Sequence, residues 1–230
     1  MNKPSIFFDN DPHHIDQVED CRNILCIKVP GIDGLPREID FMDLSDEDFT
    51  EHLGDATGNM IEFLIWANGG ERDLFDSTSG MNVEHLSLLH RWLDESINFR
   101  ERWAIFDFDR TISKIEGFGS YRGGMSGIND SFIRNNPGSL PIRAEEYMSY
   151  LCGKSRIPLL RNIFETCIRN DVKIVILTNN GACITDPTLI TEFMSVLGVY
   201  DFELVCSRSY GSDKARALHE ELMEVCPSLF

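Results

Sequence analysis

The residues with the clearest chemical potential are two carboxyl groups spaced two apart, Asp107 and Asp109, directly after the apolar run Trp103-Ala104-Ile105-Phe106. An aspartate at the end of a strand can attack an electrophile such as phosphorus and form a covalent aspartyl-phosphate. A second carboxyl two residues on can protonate a departing alkoxide and later take a proton from water. Two other apolar runs close in polar clusters in the same way, one in Asp9-Asn10-Asp11 and one in Thr178-Asn179-Asn180. A hydroxyl with neighbouring backbone N–H groups can hold anionic oxygens. Plainer roles are also open to these residues, because acids near a strand end can cap a helix and Thr-Asn can make a turn.

For the clusters to act together, the runs before them must lie side by side. Five runs, at 6–8, 24–29, 103–106, 173–177 and 202–206, are nearly continuous in apolar residues and bounded by polar or turn residues. That pattern predicts parallel strands buried on both faces. Helical spacing of three and four follows at 157–170, 187–197 and 213–225, and alternation of strand and helix predicts a doubly wound α/β sheet. Ligands of such sheets bind beyond the carboxyl ends of the strands, where all three clusters fall. The stretch 45–100 carries two helical patterns, 46–66 and 83–99, around Asn68-Gly69-Gly70, and is read as a helical connection. The stretch 113–155 includes Gly117, Gly119, Gly123, Gly124 and Gly127. It is read as a long irregular segment, and its place after Asp107 predicts a flap or small cap over the site.

The run from Trp103 through Asp107-Phe108-Asp109-Arg110-Thr111-Ile112 resembles the first motif of the haloacid dehalogenase superfamily. Val172 to Thr178, followed by Asn179, resembles the second motif, and Cys206 to Lys214, with Lys214 opening a helix, resembles the third. The fourth motif, an apolar strand ending in acids, has no counterpart in 215–230, whereas Ser5-Ile6-Phe7-Phe8-Asp9-Asn10-Asp11-Pro12 is similar to it. The resemblance therefore implies a circularly permuted motif order: if Phe230 were joined to Met1, a helix and the next strand would fill the interval from Lys214 to Asp9. The resemblance covers 1–29 and 103–230 as a permuted Rossmann-like core, with 30–102 as the connection and 113–155 as the cap or flap.

The resemblance implies a Mg²⁺-dependent phosphatase acting on a phosphate monoester. Asp107 would be the nucleophile, Asp109 the acid and then base, and Lys214 the charge stabiliser. Thr178 and Asn179 would hold the phosphoryl oxygens. Mg²⁺ would lie among Asp107, the Asp109 carbonyl and Asn10 or Asp9. The Asp9-Asn10-x-Pro12 pattern is similar to phosphatases of the carboxy-terminal-domain type, which implies Asn10 as ligand and Asp9 as the partner that orients Lys214; an amide oxygen suits a hard cation. The second motif, Thr178-Asn179-Asn180, departs from that subgroup, so no phosphoprotein substrate is assigned. Two rivals remain: a phosphotransferase or phosphonatase on the same scaffold, and a binding or regulatory module without turnover. His13 and His14 lack partners at zinc-ligand spacing and are read as helix-start residues on a polar surface.

Lys and Arg total 21 against 38 Asp and Glu, a net charge of −17. Such a field repels a phosphate backbone and argues against non-specific nucleic-acid binding, leaving only a local groove of Arg134, Arg143, Lys154, Arg156 and Arg161 to consider. The seven cysteines stand singly in apolar surroundings without a CxxC pair, as reduced thiols of a cytoplasmic protein would. No run approaches the roughly 18 apolar residues of a membrane span, and Met1 to Asp9 does not read as a signal peptide. A soluble cytoplasmic enzyme is the expectation, with a phosphorylated partner whose class the cap would set.

Overall fold

The computed structural model describes residues 3–30 apart from 20 and 22, 80–113, 123–179 apart from 136, 186–207, 211, and 213–221. The helical pattern at 46–66, the Asn68–Gly70 loop, Asn180 and the closure of Phe230 onto Met1 lie outside the described residues. Those that are described belong to one compact unit, built from both ends of the chain.

Five strands form one all-parallel sheet: β1 (Ser5–Asp9), β2 (Ile24–Lys28), β3 (Arg102–Phe106), β4 (Val172–Thr178) and β5 (Glu203–Cys206). Their spatial order is β2-β1-β3-β4-β5, so the first strand sits between the second and third. The helices are α1 (Pro12–Glu19), α2 (Val83–Glu95), α3 (Gly124–Asn135), α4 (Ala144–Cys152), α5 (Ile157–Arg169), α6 (Thr188–Val196) and α7 (Lys214–Glu221). None of the described helices is long and apolar enough to cross a membrane.

Side chains of a strand alternate between faces, and each face here has its own cover. Phe7, Ile105, Val175, Leu177 and Val205 pack with Val18 of α1 and Ala215, Ala217 and Leu218 of α7. On the other face Phe8 stacks on Phe106 with centroids 5.2 Å apart, and Phe106 meets Phe164 of α5 edge-on at 5.0 Å. His85 of α2 stands 6.2 Å from Phe8 on the same side. Phe7, Phe8 and Phe106 are fully buried, each contributing about 2 kcal/mol of transfer free energy. Helices on both faces of a parallel sheet make this an open α/β fold of the Rossmann-like kind.

The stretch 113–155 differs from its sequence reading, because its described part holds two helices rather than irregular chain. Met125, Ile128 and Phe132 of α3 are buried at spacings of three and four, as are Tyr147, Met148, Tyr150 and Leu151 of α4. Both helices pack against α6, with Tyr147 5.9 Å from Phe193. The glycines conceal this helix start: Gly123 and Gly124 have φ of 85° and 60°, values that glycine adopts without strain. A Cβ on Gly124 would lie 2.6 Å from a carboxylate oxygen of Glu192.

Candidate active site at the carboxyl edge of the sheet

The strand register brings the polar clusters level. Phe8 and Ile176 both pair with Phe106, and Thr178 pairs with Cys206. Asp9, Asp107 and Thr178 thus leave the same edge of the sheet on three adjacent strands. The Asp107 amide donates to the Phe8 carbonyl at 2.9 Å, continuing the ladder by one rung.

After Asp107 the chain turns sharply through Phe108–Ile112. Arg110 has φ 59°, the left-handed region that a residue with a Cβ rarely adopts. Ser113 closes the turn: its amide donates to the Phe108 carbonyl at 3.0 Å, and its hydroxyl accepts from the Arg110 amide at 3.1 Å. Asp109 lies inside the turn and is half-buried. Thr111 is fully buried, and its hydroxyl donates to the Asn10 amide oxygen at 3.4 Å.

Lys214 opens α7 and is fully buried. Its ammonium donates to Asp9 Oδ2 at 2.6 Å and to Asp107 Oδ1 at 2.8 Å. Burial opposes its charge, but the two carboxylates outweigh burial and hold the lysine above its ordinary value. For Asp107, burial comes first and the charges of Asp9 and Asp109 add to it, so that against the pull of Lys214 its carboxyl is pushed up to about 8. Burial also pushes Asp9 upward, but Lys214 and His14 hold it below the usual carboxylate range. Asp9 is occupied on both oxygens: Oδ1 accepts from the Asp11 amide at 2.8 Å, while His14 Nδ1 lies 3.4 Å from the oxygen that also faces Lys214. Of the histidine pair, His13 is exposed as its helix-start reading expects, whereas His14 is turned inward against Asp9.

Thr178 is fully buried and Asn179 half-buried. Directly after β5, the strand beside them, stands Ser207, buried, whose hydroxyl donates to the Asn179 amide oxygen at 3.3 Å and lies 3.4 Å from the Thr178 carbonyl. Gln17 of α1 accepts from the Lys214 amide at 3.1 Å and so ties the helix that follows Asp9 to the one that carries the lysine. Sequence reasoning singled out neither Ser207 nor Gln17. A lone polar residue after a strand or on a helix gives no signal until its neighbour from a remote segment is known.

The groove of five cations does not form as considered. Arg156 is buried, while Arg143 pairs with Glu146 at 2.7 Å and Arg161 with Glu145 at 3.4 Å. Among the described residues no three His, Cys, Asp or Glu side chains gather as a metal cluster.

Fold and site together define an α/β protein of Rossmann-like type, with a buried lysine shared by two strand-end aspartates. No protein-family model, no curated protein and no solved structure matches the chain.

Proposed function

We propose that this chain is a Mg²⁺-dependent phosphohydrolase of the haloacid dehalogenase type, with its motif order circularly permuted, cleaving a phosphate monoester through an aspartyl-phosphate. The observation that carries the reading is the Lys214 ammonium held between Asp9 and Asp107. Three residues from distant parts of the chain meet there, each at the end of a strand or the start of a helix. The adjacency of β1 and β3 supports the rotated order, because it sets Asp9-Asn10 beside Asp107-Phe108-Asp109 although β2 separates them in sequence.

Asp107 attacks phosphorus as the bond to the leaving oxygen breaks, and Asp109 gives that oxygen its proton. Asp109 then takes a proton from water, which attacks the aspartyl-phosphate, releasing phosphate and restoring the Asp107 carboxylate. Lys214 keeps its proton throughout and offsets charge on the nucleophile and the transferring group. The Thr178 hydroxyl and the Asn179 amide are the donors for phosphoryl oxygens, with Ser207 fixing which end of that amide faces its neighbour.

The donor set suits a hard cation: the Asp9 and Asp107 carboxylates share a single buried ammonium, Asp109 adds negative charge close to Asp107, and Asn10 offers an amide oxygen. Asp107, the Asp109 carbonyl and Asn10 would hold Mg²⁺, since Asp9 is committed to Lys214; the ion would neutralise phosphoryl oxygen charge and favour the ionised nucleophile. The test is hydrolysis of an aryl phosphate by the wild-type chain and by Asp107→Asn, with magnesium and with a chelator. Turnover should require magnesium and fall by at least about a thousandfold in the variant. Residual activity near wild type, or hydrolysis that persists in chelator, contradicts the reading.

A further inference from the structure

Arg156 stands where local preference argues against it. It occupies the N-cap of α5, a position at which the helix dipole disfavours a cation, and it is buried, which pushes its guanidinium below the ordinary arginine value. Its contacts are backbone carbonyls from three segments. Nε donates to Met81 at 3.0 Å, Nη1 to Ile112 at 3.2 Å and Cys152 at 3.1 Å, and Nη2 to Thr111 at 3.1 Å.

Two of those carbonyls end the turn that begins at Asp107. The Thr111 carbonyl also accepts from the Met81 amide at 3.1 Å, and the Thr111 hydroxyl reaches Asn10. Gly80 leaves room for the guanidinium: its φ is 75°, and a Cβ there would lie 2.5 Å from Nη2. The turn around Asp109 is thus anchored at one end by β3 and at the other by Ser113, the Met81 amide and this side chain, which alone of the three holds both the Thr111 and Ile112 carbonyls.

Resting on the phosphatase reading, we propose that Arg156 is a positioning residue for the general acid: by clamping the Thr111 and Ile112 carbonyls it sets the turn that aims Asp109 at the leaving oxygen. Such a residue acts on protonation of the leaving group, not on phosphate binding. Its loss should therefore matter most when the leaving group is basic.

The experiment measures kcat/KM of the full chain with magnesium on phenyl phosphate and on p-nitrophenyl phosphate, which differ in leaving-group basicity; this ratio reports the step that expels the leaving group and not the later hydrolysis of the shared aspartyl-phosphate, in which Asp109 is the base. Arg156→Lys retains the charge but cannot span four carbonyls. It should lose about 10- to 100-fold on phenyl phosphate and less than about threefold on the nitrophenyl ester, since general acid catalysis supplies a factor of this order only where a proton is needed. Gly80→Ala, which keeps the arginine but displaces its guanidinium, serves as the second variant should the first not fold, and should give the same selectivity. Equal losses on both esters, or none, in a folded variant would overturn the proposal. No turnover of either ester by the wild-type chain would instead sink the phosphatase reading, and this proposal with it.

Discussion

At Lys214 one buried cation faces two buried carboxyl groups, one more acid than the single charge can balance, and the upward push on Asp107 to about 8 is the mark of that excess. Removing either kind of partner should therefore have opposite effects on stability. Asp107→Asn leaves a matched Lys214–Asp9 pair and should be at least as stable as wild type while inactive, a trade common at sites built for chemistry. Lys214→Met leaves Asp9 and Asp107 facing each other without a counter-charge and should cost about 3–5 kcal/mol. Urea unfolding of both variants decides the matter; a destabilised Asp107→Asn would mean that the carboxylate is held for structure. Asp9 and Asp107 were legible as strand-end acids because each closes a clear apolar run, while Lys214 was singled out only by the resemblance of its segment to a known motif. Arg156 was not legible: its sequence neighbours suggest a surface cation, and only the carbonyls of remote Met81 and Thr111 reveal a buried clamp.

The elements that frame the site are held by polar groups at their ends. His85 Nδ1 accepts from the Asn82 amide at 3.0 Å at the start of α2, and burial keeps its pKa below the ordinary 6.5. A histidine whose folded pKa is depressed must charge on unfolding, so its contribution is present in full above about pH 6.5 and lost as pH falls through the folded value. The unfolding midpoint of wild type should thus drop more between about pH 7 and pH 5 than that of His85→Gln; parallel curves would remove this group from the acid response. In α3, the first free amides are served from another helix: Met125 N donates to Glu192 Oε2 at 2.6 Å, and Asp186 takes the Gly123 amide with one oxygen and caps α6 with the other. Glu192→Ala should cost about 1–2 kcal/mol, the range for losing a cap, and speed hydrogen exchange in 125–132. Unchanged exchange there would mean that the apolar face alone docks α3. The central strands β1, β3 and β4 were readable from composition because they are buried on both faces, whereas the apolar runs of the edge strands β2 and β5 stay partly exposed, against the expectation of full burial. The start of α3 was hidden because glycine, which usually marks loops, here meets the demand for positive φ and close approach to Glu192.

At the scale of the whole molecule the dominant feature is the net charge of −17, whose self-repulsion opposes compactness everywhere at once. Any salt should relieve part of that repulsion by screening, since the Debye length falls to about 10 Å at 0.1 M. A cation held at Asp107 acts differently, stabilising the folded state by its binding free energy, about 2.7 kcal/mol at a hundredfold excess over its dissociation constant. For a chain of this length that increment corresponds to about 5–10 °C in melting temperature. Thermal unfolding in MgCl₂ and in NaCl at matched ionic strength separates the two. Magnesium should give the larger rise, and the excess should shrink in Asp107→Asn, which retains the overall field but lacks a carboxylate ligand. The proposed motif order makes the same demand of the fold, because the ligands proposed for the ion would come from the ends of β1 and β3, adjacent in the sheet and remote in sequence. Equal shifts from the two salts, or an excess undiminished in the variant, would take magnesium out of this site and leave Lys214 as the counter-charge to its carboxylates.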